Sequence, residues 1–137
     1  VISSGCVEGR KDTPARRTLY ERMGGEQAIV AVVDDFVENV VADPKIKEIH
    51  KKHFREGDVA GLMQKLIDQI GEATGGPQQY KGKDMKTAHK GLGITDADFD
   101  ALVDDLIKAL DKNHVARADR DELLKMLGGM RKDIVEK

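Results

Sequence analysis

"EQAIVAVVDDFVENVVAD", residues 26 to 43, decides the fold class. Its β-branched residues favour a strand, but its apolar positions do not alternate. Ile29, Val32, Val33, Phe36, Val37, Val40 and Val41 recur three and four apart, the period of a helix with one buried face. The period outranks the propensity, which is a weak prior. The helix ends at Asp43-Pro44, where Asp can cap and Pro can open the next helix.

The same logic carries outward. "RTLYERMGG" before it gives a short helix stopped by Gly24 and Gly25. "PKIKEIHKKHF" after it supports a helical turn or two. "GDVAGLMQKLIDQI" sets Val59, Leu62, Met63, Leu66, Ile67 and Ile70 on one face. "TGGPQQYKGKD" is a loop by its glycines and proline. "TDADFDALVDDLIKAL" opens on Thr95 as cap with Asp98 three residues on, and predicts burial of Phe99, Leu102, Val103, Leu106, Ile107 and Leu110. A final helix shows Leu123, Leu127, Met130 and Ile134, with Gly128 and Gly129 in its middle marking weakness or a close crossing. No stretch alternates as a strand would, so the class is all-α.

The length, 137 residues, suits one domain with a sizeable core. Hydrophobic residues at 39% and charged ones at 35% describe a soluble globular chain. A net charge of −2 excludes the basic excess of a nucleic-acid binder, and no apolar run has the length of a membrane span. Aromatic residues are only 4% and tryptophan is absent. The core is therefore aliphatic, or filled in part by something other than side chains.

Residues 1 to 17 lack periodicity and are expected to form a tail, with the domain spanning 18 to 137. The single cysteine, Cys6, rules out an internal disulfide. "VISSGC" followed by a polar stretch resembles the processing site of a bacterial lipoprotein, which would attach Cys6 to a lipid. An ordinary tail cysteine is the competing reading. Localisation is accordingly cytoplasmic, or lipid-anchored at the periplasmic face of a bacterial membrane.

Four histidines are candidates for chemistry. His114 sits among polar neighbours near a helix end. His50 and His53 are three apart on a helical stretch with two lysines between them, a weak metal signal. His89, in "MKTAHKGLGIT", shares an apolar stripe with Met85, Ala88 and Leu92 before Gly91 and Gly93 break the turn. Such a histidine is either a core residue bonded to a backbone carbonyl or an axial haem ligand. A ligand would bind iron through one nitrogen and donate from the other to a carbonyl one turn back. A haem slot is also on offer: Leu62, Leu66 and Ile70 for one wall; Leu92, Phe99, Leu102 and Val103 for the other.

From about Thr18 onward the chain resembles a truncated haemoglobin of the first group. The motifs that carry the resemblance occur in order: "TLYERMGG", "VVDDFVENVVADPKIK", "HFREGDV", "GGPQQYKGKDMKTAH" and "DFDALVDDL". The resemblance implies a globin-like fold, a truncated two-over-two helical sandwich around haem b. It makes His89 the proximal iron ligand, Phe54 the phenylalanine on the porphyrin face and Phe36 the phenylalanine of the second helix. Tyr80, Met85 and Ala88 match the loop and helix leading to the ligand. Lys81 or Lys83 is a candidate partner for a haem propionate; free solvation is the alternative.

The distal side departs from that pattern. The family usually places a tyrosine directly after the phenylalanine of the second helix; here stands Val37. Positions that often carry glutamine hold Leu62 and Leu66. Lys65 occupies a position that is polar or ligating in some members. Extra residues between Lys47 and Phe54 make His50 and His53 candidates to reach the distal face. The preferred reading is an apolar distal pocket with both histidines facing water.

The resemblance implies binding of oxygen, nitric oxide or carbon monoxide by a monomer, served by an unidentified reductase. Peroxidase-like or redox chemistry at ferric haem ranks second, because no distal acid–base group is evident apart from His50, His53 and Lys65; the missing tyrosine counts against nitric oxide dioxygenase-like chemistry. A haem-based sensor or a cofactor-free helical module ranks third.

Overall fold

The computed structural model describes residues 17 to 136. Cys6 and the proposed tether lie outside the described residues. The helices are α1 (Leu19–Met23), α2 (Gly25–Ala42), α3 (Glu48–Arg55), α4 (Val59–Ala73), α5 (Met85–His89), α6 (Asp96–Lys112), α7 (Arg117–Gly128) and α8 (Arg131–Ile134). No strand occurs among the described residues, and none of their helices is long and apolar enough to cross a membrane.

α2 organises the molecule. It packs on α4 along one side and on α6 along the other, while α7 packs on α6. The pairs α2/α4 and α6/α7 are the two layers of the sandwich. Ile29, Val32, Val33 and Val40 are fully enclosed, as their helical spacing requires. Opposite the first three lie Leu106, Ala109 and Leu110 of α6 and Leu123 of α7, while Val40 packs with Ile46 and Ala101 in a second cluster. Burial of such side chains, worth roughly 1.5–3 kcal/mol each, holds the layers together.

Local signals agree with that packing. Thr18 and Glu21 form a reciprocal capping box at α1, and Thr95 and Asp98 do the same at α6. Gly24 ends α1 with φ 113°, and a Cβ there would stand 2.9 Å from Ala28 Cβ, so both the turn and the close approach require glycine. Arg22 ties α1 to α7 through Asp119 at 2.9 Å and Glu122 at 2.6 Å. Arg17, which the sequence places in the tail, accepts a hydrogen bond at its carbonyl from Arg22 Nη1.

Two expectations need correction. The final helix is not continuous: it stops at Gly128 and resumes at Arg131, because Gly129 and Met130 carry the chain through a turn. On α6, Phe99, Leu106 and Leu110 are buried, but Leu102, Val103 and Ile107 are only half-buried. Val103 and Ile107 continue the line of buried Phe99 at four-residue spacing, so the half-buried edge extends directly from the core.

Candidate functional site

α5 has only five residues, and a helix so short does not hold itself. Asp84 caps its start, accepting from Thr87 N at 3.2 Å. The preceding loop is closed by Tyr80, whose hydroxyl donates to Lys83 O at 2.6 Å and whose N–H donates to Glu72. Gln69 of α4 reaches across to Met85, its Nε2 lying 3.2 Å from the sulfur. These contacts set α5 beside α4.

Within α5, His89 Nδ1 lies 2.8 Å from Met85 O. A carbonyl only accepts, so Nδ1 carries the hydrogen. In the neutral ring Nε2 then holds a lone pair, and among the described residues it has no hydrogen-bond partner. This is the tautomer that a metal-ligating histidine needs, fixed by a carbonyl one turn back.

Several apolar side chains of α3, α4, α5 and the loop after it are only partly covered. Phe54, Leu62, Met63, Leu66, Met85 and Leu92 are all half-buried, against the complete enclosure of the α2 core. Ile70 and Phe99 mark the inner boundary, both buried. Ala88 is exposed, so the stripe does not enter the core. The donor set fits haem: one neutral imidazole nitrogen, a greasy surround and little side-chain material to fill it. Phe36 and Phe54 meet edge to face at 6.0 Å, which fixes α2 against the end of α3 and places Val37, buried, beside that junction.

The remaining candidates scatter. Lys65, Lys81 and Lys83 are exposed. His53 is exposed, whereas His50 does not face water: its side chain is 12% accessible and Nε2 stands 3.5 Å from Asp98 Oδ2. Lys47 Nζ approaches the same oxygen at 3.4 Å. Burial raises the Asp98 pKa, but the Thr95 N–H and hydroxyl and the Lys47 ammonium outweigh it, and the net shift is downward.

Sequence reading missed a second polar centre, Asp43 with Asp105. Both are buried, at 7% and 1% exposure. Burial, with the hydrogen bond and charge of Asp43, raises the Asp105 pKa to about 7. Asp43 goes the other way: burial raises it, but the Lys45 N–H, Asp105 and nearby lysines bring it down. The two carboxyls are thus shifted in opposite directions, Asp105 toward its protonated form and Asp43 toward its ionised one. A signal was present, since Asp98, Leu102, Asp105 and Ala109 recur at three and four on α6. Also missed was Arg131, whose guanidinium lies 4.5 Å over the Phe99 ring.

Comparison with known proteins adds to this geometry. Residues 18–136 match the family described as bacterial-like globin. The group 1 truncated hemoglobin of Tetrahymena pyriformis is 35% identical, over 88% of this chain and 97% of the relative. The group 1 truncated hemoglobin GlbN of a Nostoc strain is 31% identical, over 88% and 98%. The Fe(III) crystal structure of the Tetrahymena pyriformis protein superposes with a TM-score of 0.80, covering 88% of this chain and all of that one. The 2/2 hemoglobin of a Synechococcus species, a cyanomet form with covalently attached heme, gives a TM-score of 0.77 at 29% identity, over 88% of this chain and 100% of that one.

Proposed function

The chain belongs to the bacterial-like globin family, as a group I truncated haemoglobin with a haem iron cofactor, and from that premise we propose that it binds and readily releases oxygen, and binds nitric oxide or carbon monoxide, through haem ligated by His89. The observation that carries the assignment is the His89 Nδ1 contact with Met85 O at 2.8 Å, which leaves Nε2 open.

Bound there, haem supplies an iron centre able to take a diatomic ligand. His89 Nε2 holds it, and Met85 O keeps the imidazole from rotating and from changing tautomer. Phe54, Leu62, Leu66 and Ile70 exclude water on the α3–α4 side, and Leu92, Phe99 and Val103 cover the α5–α6 side. Lys81 or Lys83, both exposed on the loop before α5, is the proposed partner of a haem propionate.

Val37 shapes the chemistry by what it lacks. Valine offers no hydrogen-bond donor, and neither do Leu62 and Leu66. A polarised ligand therefore gains nothing from these side chains, while an apolar one such as carbon monoxide loses little. This argues for ready release of oxygen and against nitric oxide detoxification, which needs a tightly held oxygen.

Titration of the purified chain with haemin, followed by reduction and exposure to carbon monoxide, tests the proposal. A saturable one-to-one complex with a sharp Soret band that shifts on carbon monoxide addition is expected. Absence of saturable binding would leave a cofactor-free helical module.

A further inference from the structure

The segment after α8 closes back onto the loop that follows His89. Gly91 N donates to Glu136 Oε2 at 2.8 Å, and Gly93 N donates to Glu136 Oε1 at 2.7 Å. Glu136 N donates to Ile94 O at 2.8 Å. One carboxylate thus grips two amides within four residues of His89, and the main chain adds a third bond. Charge-assisted contacts of this length are the strong kind.

The loop is built to receive them. Gly91 and Gly93 have φ of 84° and 66°, and a Cβ at either would meet nothing within 4 Å. Glycine is needed there for conformation, not for space: left-handed φ at alternate positions turns both amides toward one anion. The neighbouring anchor is Arg131, which pairs with Asp96 at 3.0 Å and Asp100 at 2.5 Å while covering the Phe99 ring. α8 also packs directly on α5.

We propose that Glu136 is a positioning residue for the proximal histidine, setting the angle of His89 toward haem by holding the Gly91–Gly93 loop. The inference rests on His89 being the iron ligand. α5 is too short to fix its own direction, so its orientation comes from its two ends. Asp84 holds the first and Glu136 holds the loop that continues from the second. Releasing that loop lets α5 swing, which weakens the hold on haem without removing any group that touches it.

The test uses Glu136→Ala and Glu136→Gln, with Gly93→Ala as an independent way to spoil the loop. Three readouts are needed: hydrogen exchange of the 91–93 amides in haem-free protein, haem transfer to excess apo-globin acceptor, and the iron–histidine stretching band of the ferrous form. Glu136→Ala should speed exchange and haem loss by about tenfold or more and move the band, with Glu136→Gln intermediate. Unchanged exchange overturns the proposal. Faster exchange with haem loss and band unchanged overturns it too, since the contact would then be only structural. His89→Gly, run in parallel, separates this from failure of the ligand assignment: an unaltered axial spectrum in that variant removes the premise itself.

Discussion

His50 Nε2 stands 3.5 Å from the Asp98 carboxylate, which Lys47 also approaches. The contact turns the imidazole toward the start of α6, and His53 is exposed on the same helix. Neither is expected to supply a sixth ligand. His50→Ala and His53→Ala should leave the ferric and ferrous spectra unchanged. Conversion of a low-spin six-coordinate spectrum to a five-coordinate one in either variant would show that histidine on the iron.

Val37→Tyr should slow oxygen dissociation. A hydrogen bond to a charged partner contributes roughly 1.5–3 kcal/mol, so the expected slowing is about tenfold or more. Carbon monoxide dissociation should change much less. Stopped-flow dissociation of both gases from both proteins measures the difference. A native protein that already holds oxygen tightly, with no response to the new hydroxyl, would point to another donor, Lys65 foremost.

Asp105, raised from 3.8 to about 7 by burial and by Asp43, makes stability depend on pH. Between those values the folded chain keeps a proton that the unfolded chain has released. Its stabilising contribution is complete below about pH 4, falls as pH rises, and is gone above about pH 7. The limiting slope is about 1.4 kcal/mol per pH unit. Asp43, shifted downward, acts only at lower pH, where its contribution is lost as pH falls. Urea unfolding of Asp105→Asn from pH 4 to pH 8 should show that decline flattened and the variant gaining relative stability at the alkaline end. An unchanged slope would assign the proton elsewhere.

Much of the fold was legible because periodicity reports burial directly. Ile29, Val32, Val33 and Val40 lie where their spacing places them, and the capping box at Thr95 forms as read, while the one at Thr18 emerges only from the structure. Periodicity does not say what covers an apolar face, so Leu62, Leu66 and Val103 read the same as core residues although the structure leaves them half-covered. Contacts between distant residues leave even less trace. Glu136 on Gly91 and Gly93 joins positions 45 and 43 apart, and no local pattern announces it. Arg131 over Phe99 is similar, because a charged residue in a helix turn ordinarily reads as solvated.

The most direct test of the account is the axial spectrum of His89→Gly reconstituted with haemin, without and then with added imidazole. With His89 as the iron ligand, haem binding should be greatly weakened and the native axial spectrum lost, both restored in part when imidazole fills the space vacated by the side chain. A variant that binds haem with native affinity and an unchanged spectrum, indifferent to imidazole, would contradict it.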